Sequence, residues 1–274
     1  MPIRVPHLAE LTSFEWRAGS HEWWSVRLLI RRLFFALPGP HALQKPFALC
    51  AFRPYLRLVN CIITAGPTFE ELDNVRRLTN FSTGRLGSEL VNYLAGRGHH
   101  VTLLIGQQAT WRGERNAQRV ETFTTTANLR EHLQALAAQP VDAVFHAAAV
   151  SDFTFGKVWR RSAQGELTEI KSGKISTREG TLLTELLPTP KIISELRHWF
   201  PRSRLVGWKY EVEGDRDGVL QLAQRQIVEC CTDACVANGP AYGEGFALVR
   251  ADRGVLHVND SAALFEALED FIRQ

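Results

Sequence analysis

The stretch NFSTGRLG, Asn80–Gly87, gathers groups that bind anions. Ser82, Thr83 and Gly84 stand directly ahead of a helix-forming run, so two hydroxyls, successive backbone N–H groups and the positive end of a helix converge where a phosphate would sit. The same residues also fit an ordinary helix cap, with glycine for close packing. A second cluster is AAAVSDF, Ala147–Phe153. Small side chains there let a ligand approach the backbone, and Asp152 has the carboxylate to bind a ribose or a metal ion, or simply to cap a turn. Lys174, within the polar KSGKISTREG of Lys171–Gly180, is a cation suited to close on a triphosphate and equally suited to solvent.

These groups need elements to hold them, and the chain from Leu58 supplies a regular alternation. LVNCIIT (Leu58–Thr64) is a continuous apolar run, as expected of a strand buried on both faces, and AGPT turns after it. Leu86, Leu90, Tyr93 and Leu94 share one face of a helix over Gly84–Gly98, and HVTLLIG (His100–Gly106) follows as a second strand. The scheme repeats in strand Val120–Thr125, helix Ala127–Gln139 and strand Val141–Ala149. It repeats again in helix Lys191–Phe200, strand Arg204–Glu211, helix Arg216–Glu229 and strand Thr232–Asn238. A hairpin of Phe246–Arg250 and Gly254–Val258 and a helix Ser261–Ile272, capped by Asp260, close the chain. This is a Rossmann-like three-layer α/β/α pattern around a mostly parallel sheet. Phe153–Pro190 breaks the rhythm with short β-like pieces (Glu166–Ile170, Thr181–Leu187) around the Lys171–Gly180 segment, as an inserted flap would. Ligands of such sheets sit at the carboxyl ends of strands, here AGPT, HAAAVSD, GWKYE and VAN.

Several chemistries fail on spacing. The segment Ile63–Gly87 lacks GxGxxG, and SGKIS has Ile175 where a Walker loop requires Ser or Thr. None of Tyr55, Tyr93, Tyr210 and Tyr242 has Lys four residues on, as a short-chain dehydrogenase would want. Cys50, Cys61, Cys230, Cys231 and Cys235 are odd in number and without CxxC spacing, which fits free thiols in a reducing compartment such as the cytoplasm. No second Cys/His cluster stands near Cys230–Cys235 to complete a thiolate metal site.

The 274 residues carry a net +3, unevenly spread. Residues 1–60 hold eight basic against three acidic residues, whereas residues 61–274 hold 24 against 26. The acidic body argues against a nucleic-acid surface. The apolar run Leu33–Leu37 is far short of the roughly 20 residues that span a bilayer, so no membrane segment is expected. Residues 1–57 read as a poorly ordered extension or a non-native start, with an organelle presequence or interfacial helix as the other reading. Residues 58–274 read as one domain.

ITAGPTxExxDxVRxxTNFSTGRLG, AAAVSDF, the GKIS flap, TPKIISEL, VGWKYE and VAN occur here in the order in which they occur in the phosphopantothenoylcysteine synthetases, and over about 58–272 the chain resembles that family. The family is the ligase step of coenzyme A biosynthesis, often the C-terminal half of a bifunctional flavoprotein; this chain looks like the stand-alone form, with no flavin expected. The resemblance implies joining of 4′-phosphopantothenate to cysteine through an acyl-nucleotidyl intermediate, with CTP or ATP, Mg²⁺, pyrophosphate release and a homodimer. It implies phosphate contacts at Gly66, Ser82, Thr83 and Gly84, and an intermediate-binding amide at Asn80. Arg76 would neutralise a phosphate or carboxylate. His146, Ala147, Ala148, Asp152, Pro190, Lys191, Ile192, Ile193, Trp208 and Asn238 would form the nucleotide side, with Lys174 as the flap lysine. The metal ligands stay unassigned. Two helix lysines of fused bacterial members fall at Gln226 and Cys230, with Arg225 the nearby cation, which leaves the nucleotide open. An oxidoreductase with an atypical phosphate loop, or a non-catalytic nucleotide-binding relative, stands as the alternative.

Overall fold

A computed structural model describes residues 58–274 except 177, 179 and 253. The expectation for residues 1–57 lies outside the described residues. In chain order the elements are β1 (Asn60–Ala65), β2 (Phe69–Glu71), β3 (Arg77–Thr79), α1 (Arg85–Gly96), β4 (His100–Gly106), β5 (Arg119–Phe123), α2 (Thr126–Leu136), β6 (Ala143–His146) and β7 (Phe153–Arg161). There follow β8 (Leu167–Glu169), β9 (Thr181–Pro188), α3 (Ile192–Trp199), β10 (Arg204–Tyr210), α4 (Arg216–Cys230), β11 (Ala234–Asn238), β12 (Phe246–Arg250), β13 (Gly254–Val258) and α5 (Ser261–Arg273).

Eight strands form one sheet in the order β13-β12-β11-β10-β6-β1-β4-β5. The six from β11 to β5 are parallel, and β12 and β13 add an antiparallel edge. Because successive side chains of a strand point to opposite faces, β1 divides its apolar residues between two cores. Cys61, Ile63 and Ala65 pack with Leu90 and Leu94 of α1 and Leu264 and Leu268 of α5. Ile62 packs on the other face with Leu129 and Leu133 of α2 and Ile192 and Leu196 of α3. A third cluster lies under α4 around Val219, Ala223 and Ile227. The Rossmann-like α/β/α reading therefore holds, and chain order reverses between β1 and β6, the place where such sheets bind ligands.

The inserted region is more regular than its sequence suggests. β7 is a nine-residue strand at the centre of a three-stranded antiparallel sheet, β8-β7-β9. Its alternation is interrupted by a register shift between Phe155 and Val158, where the Lys157 N–H donates to Glu185 Oε2 at 2.9 Å; that bulge hides the strand from a period-2 reading. The β2–β3 hairpin was not anticipated either, since three residues per strand are too few to show a period. The expected strand Val141–Ala149 is shorter, Ala143–His146, and beyond it the Ala148 N–H donates to the Thr64 hydroxyl instead of to a strand carbonyl, while the Ala149 carbonyl accepts the Thr68 N–H.

Close backbone approach fixes this end of the sheet. A Cβ on Gly106 would stand 2.3 Å from the Pro67 carbonyl oxygen, and one on Gly87 would stand 2.6 Å from Ala65 Cβ. Gly106→Ala should therefore force the β1 and β4 exits apart. Overpacking of this kind costs about 1–3 kcal/mol, and a denaturant midpoint equal to wild type would show that the two exits are not in contact.

Candidate active site

Three groupings of the candidate residues lie around the carboxyl ends of β1, β6 and β10. The first is a glycine cradle. Gly66 (φ +78°) and Gly84 (φ +74°) adopt the left-handed backbone that glycine accepts most easily. A Cβ on Gly84 would lie 3.0 Å from Ile105 Cδ1 and 3.3 Å from Gly66 Cα, so the exit of β1 and the start of α1 touch. No side chain caps α1 and no acidic residue occupies its first turn. The Thr83 hydroxyl accepts the Arg85 N–H at 3.2 Å, and Ser82 is half-buried. Apart from the Arg85 N–H, the first-turn donors of α1 and the helix dipole meet no capping side chain.

The second grouping is a pocket of about 580 Å³ at the ends of β6 and β10. His146, Ala148, Asp152, Pro190, Lys191, Ile192, Ile193 and Trp208 all line it, as do Arg225 and Gln226. Trp208 Nε1 is a buried donor with no hydrogen-bond partner among the described residues. Lys191 and Arg225 have no ion-pair partner among the described residues. Gln226 instead turns inward, donating to Cys235 Sγ at 3.2 Å and lying against Gly207; Cys230 is buried in the core. Of the two helix positions that the resemblance assigned to lysines, Gln226 thus borders the pocket with its amide nitrogen committed to Cys235, and Cys230 packs in the core. Ala147 and Asn238 are outside the pocket wall. The Ala147 N–H donates to the Thr64 carbonyl, and the Asn238 side-chain oxygen is buried without a hydrogen-bond partner among the described residues.

Asn80 sits where these two parts meet. Its amide donates to the carbonyl of Val150, a pocket residue, at 3.0 Å, and it follows β3 directly on the way to the cradle. His146 contacts Thr64 Oγ1 through Nδ1 at 3.0 Å, and that hydroxyl also accepts the Ala148 N–H at 3.1 Å. Burial alone pushes the imidazole down from 6.5 to about 4, so the ring is neutral at neutral pH.

The third grouping carries Arg76 and Lys174, neither of which lines the pocket. Arg76 pairs with Asp73 at 3.1 Å, and Lys174 is exposed. Two acids of the same stretch, which stand in the quoted motif with no role assigned to them, are Asp73 and Glu70. Asp73 is held below the usual carboxylate range, first by the Ile175 N–H, against the opposing cost of burial, and also by the Val75 and Arg76 N–H groups and the Arg76 charge. Glu70 is buried, accepting the Thr126 N–H at 2.9 Å and the Thr154 hydroxyl at 3.2 Å. The available signal for Asp73 was its position two residues before Val75, the spacing of an Asx turn. Among the described residues no three His, Cys, Asp or Glu side chains cluster as a metal cage, and no helix is long and apolar enough to cross a membrane.

Residues 56–266 match the DNA/pantothenate metabolism flavoprotein C-terminal domain. The chain is 33% identical over 177 residues to the coenzyme A biosynthesis bifunctional protein CoaBC of Thermococcus kodakarensis, covering 65% of this chain and 40% of that one. It thus spans about two fifths of the length of that relative. The DNA/pantothenate metabolism flavoprotein of Streptococcus pneumoniae superposes with a TM-score of 0.68 at 25% identity, covering 78% of this chain and 98% of that one. A Cab2 variant in complex with phosphopantothenate-cysteine shares the fold, with a TM-score of 0.58 at 18% identity over 78% of this chain and 87% of its own. The chain belongs to the family of DNA/pantothenate metabolism flavoprotein C-terminal domains.

The His146 environment sets a pH dependence. Since its folded value lies below the unfolded one, the unfolded chain takes up the proton first; the stabilisation is complete above about 6.5 and is lost as pH falls through about 4. The shift corresponds to roughly 3 kcal/mol at most. Unfolding free energy measured from pH 7 to pH 4.5 should fall more steeply for wild type than for His146→Gln, and parallel curves would contradict the assigned burial.

Proposed function

We propose that this chain, as a member of its family, is a phosphopantothenate-cysteine ligase. It joins 4′-phosphopantothenate to cysteine by way of an acyl-nucleotidyl intermediate, using CTP or ATP and releasing pyrophosphate. The observation that carries the reading is the junction at Asn80 between the glycine cradle and the 580 Å³ pocket. A reaction that brings a phosphorylated acid to a nucleoside triphosphate needs two anion sites side by side with a polar group between them.

In this reading the nucleotide occupies the pocket. Its base lies against Trp208, whose Nε1 supplies a donor, and Lys191 and Arg225 supply charge to its phosphates. Gly66, Ser82, Thr83 and Gly84 offer the cradle for a phosphate, where amide donors and the α1 dipole act without a side chain in the way. The acid's carboxylate attacks the α-phosphorus and pyrophosphate leaves. The cysteine amine then attacks the acyl carbon and displaces the nucleoside monophosphate. Negative charge builds first on the α-phosphate and then on the acyl oxygen, so positioned donors and cations are what the site must provide. Asn80 offers both a donor and an acceptor to the acyl-nucleotide, and Lys174 brings a cation from the flap.

Mg²⁺ borne on a triphosphate asks for one or two carboxylates beside phosphate oxygens and water. Asp152 and Glu229, both on the pocket wall, fit that demand. When bound, the ion neutralises phosphate charge. Neutral His146 keeps the pocket floor free of a proton-dependent charge. Residues 58–274 act as one domain, and Phe153, Leu183, Leu186 and Leu187, each at least 40% exposed on β7 and β9, suit a homodimer contact. Cys61, Cys230, Cys231 and Cys235 are free thiols, which suits a reducing cytoplasm.

With phosphopantothenate, cysteine, Mg²⁺ and CTP or ATP, the protein should release pyrophosphate; release with neither nucleotide would overturn the assignment. Asn80→Asp should slow consumption of the intermediate more than its formation, so that acyl-nucleotide accumulates in a quenched single turnover. Equal slowing of both steps would remove Asn80 from that role.

A further inference from the structure

The flap is fastened to the turn between β2 and β3 through its own backbone. The Asp73 carboxylate, fully covered, accepts the Ile175 N–H at 3.1 Å while accepting those of Val75 at 2.9 Å and Arg76 at 2.7 Å from its own turn. The Asn74 N–H donates to the Gly173 carbonyl at 2.9 Å. The Arg76 guanidinium donates to the Ile175 carbonyl and pairs with Asp73. Within the flap, the Ser172 hydroxyl accepts the Lys174 N–H at 3.3 Å and donates to the Lys174 carbonyl at 2.9 Å. Every backbone polar group from the Gly173 carbonyl to the Ile175 carbonyl is thus occupied. Ile175 is 3% exposed and anchors an otherwise polar segment, whereas the Lys174 side chain is exposed and has no ion-pair partner among the described residues.

The clamp holds the backbone on either side of Lys174, so it fixes where the exposed Lys174 side chain leaves the flap. The hairpin that provides the clamp ends at Thr79, one residue before Asn80. We infer that Asp73 is a positioning residue: with Arg76 it fixes the flap backbone bearing Lys174 to the hairpin that ends at Asn80, so that the two groups are presented as one unit. This accounts for the commitment of Arg76 to Asp73 and the Ile175 carbonyl. It rests on the ligase reading for the role of Lys174, and extends it to residues that touch no reacting atom.

The test is a double-mutant cycle on the full chain, read by pyrophosphate release, together with amide hydrogen exchange over residues 171–176. Asp73→Asn keeps the size of the side chain and replaces one acceptor oxygen by a donor that opposes the Ile175 N–H. Small misplacements of a reacting group can cost as much as about a hundredfold, and a fall in kcat of about tenfold is expected. In the K174A background the same change should cost nothing further, because interaction through a shared partner is non-additive. Arg76→Gln should repeat the pattern at smaller size, which covers a D73N chain that fails to fold. The Ile175 amide should be protected in wild type and exchange faster in D73N. Equal losses in the wild-type and K174A backgrounds would overturn the inference, as would an Ile175 amide indifferent to D73N. A wild-type chain that released no pyrophosphate would remove the ligase reading, and the exchange data would still decide the clamp.

Discussion

Contact between the backbones that leave β1 and β4 and the backbone that enters α1 is the constraint on which this molecule is built. A side chain at Gly84 or Gly106 would push these segments apart, with clearances of 3.0 Å and 2.3 Å to their neighbours. The contact places the uncapped start of α1 beside the β1 exit, and parallel pairing of β1 with β6 brings the Ala147–Ala149 backbone to the same level. The cradle and the pocket are therefore neighbours because the strand ends are close-packed. Loops placed over a looser frame would not keep the cradle and the pocket within reach of one asparagine.

Charge is divided in a way that suits this frame. Buried carboxylates do structural work: Glu70 ties β2 to α2 and β7, Asp73 ties the hairpin to the flap, and Glu269 links α5 to Tyr93 and His99. Each is buried and accepts several hydrogen bonds, which offsets the cost of taking a charge out of water. At the pocket, Lys209 pairs with Glu211, whereas Lys191 and Arg225 have no ion-pair partner among the described residues. The imidazole in its wall is neutral. The net charge of +3 says little about this arrangement, which depends on where individual charges stand and not on their sum.

Much of this was legible before any coordinates. The apolar run of β1 and the 3.6-residue spacing of Leu86, Leu90 and Leu94 each point to one element, so the α/β/α frame and the crossover at β1 follow from local pattern. The pocket residues His146, Asp152, Lys191 and Trp208 were legible as a set through an ordered group of motifs at strand ends. What was not legible depends on pairing at a distance. The β7 strand is masked by its bulge, and Asp73 gains its meaning from Ile175, 102 residues away. The grouping of Arg76 with Asp73 instead of with the pocket has the same origin: a sequence shows that an arginine is near a site in the chain, but not which acid holds it.

The central claim is that the pocket below Trp208 is the nucleotide site. Equilibrium titration of CTP and of ATP into the full chain and into Trp208→Ala tests it most directly. The account predicts one nucleotide bound per chain, with at least a fivefold loss of affinity in the variant, since stacking of a base on an aromatic ring is worth about 1–3 kcal/mol. Equal affinity of wild type and variant for whichever nucleotide binds would contradict it.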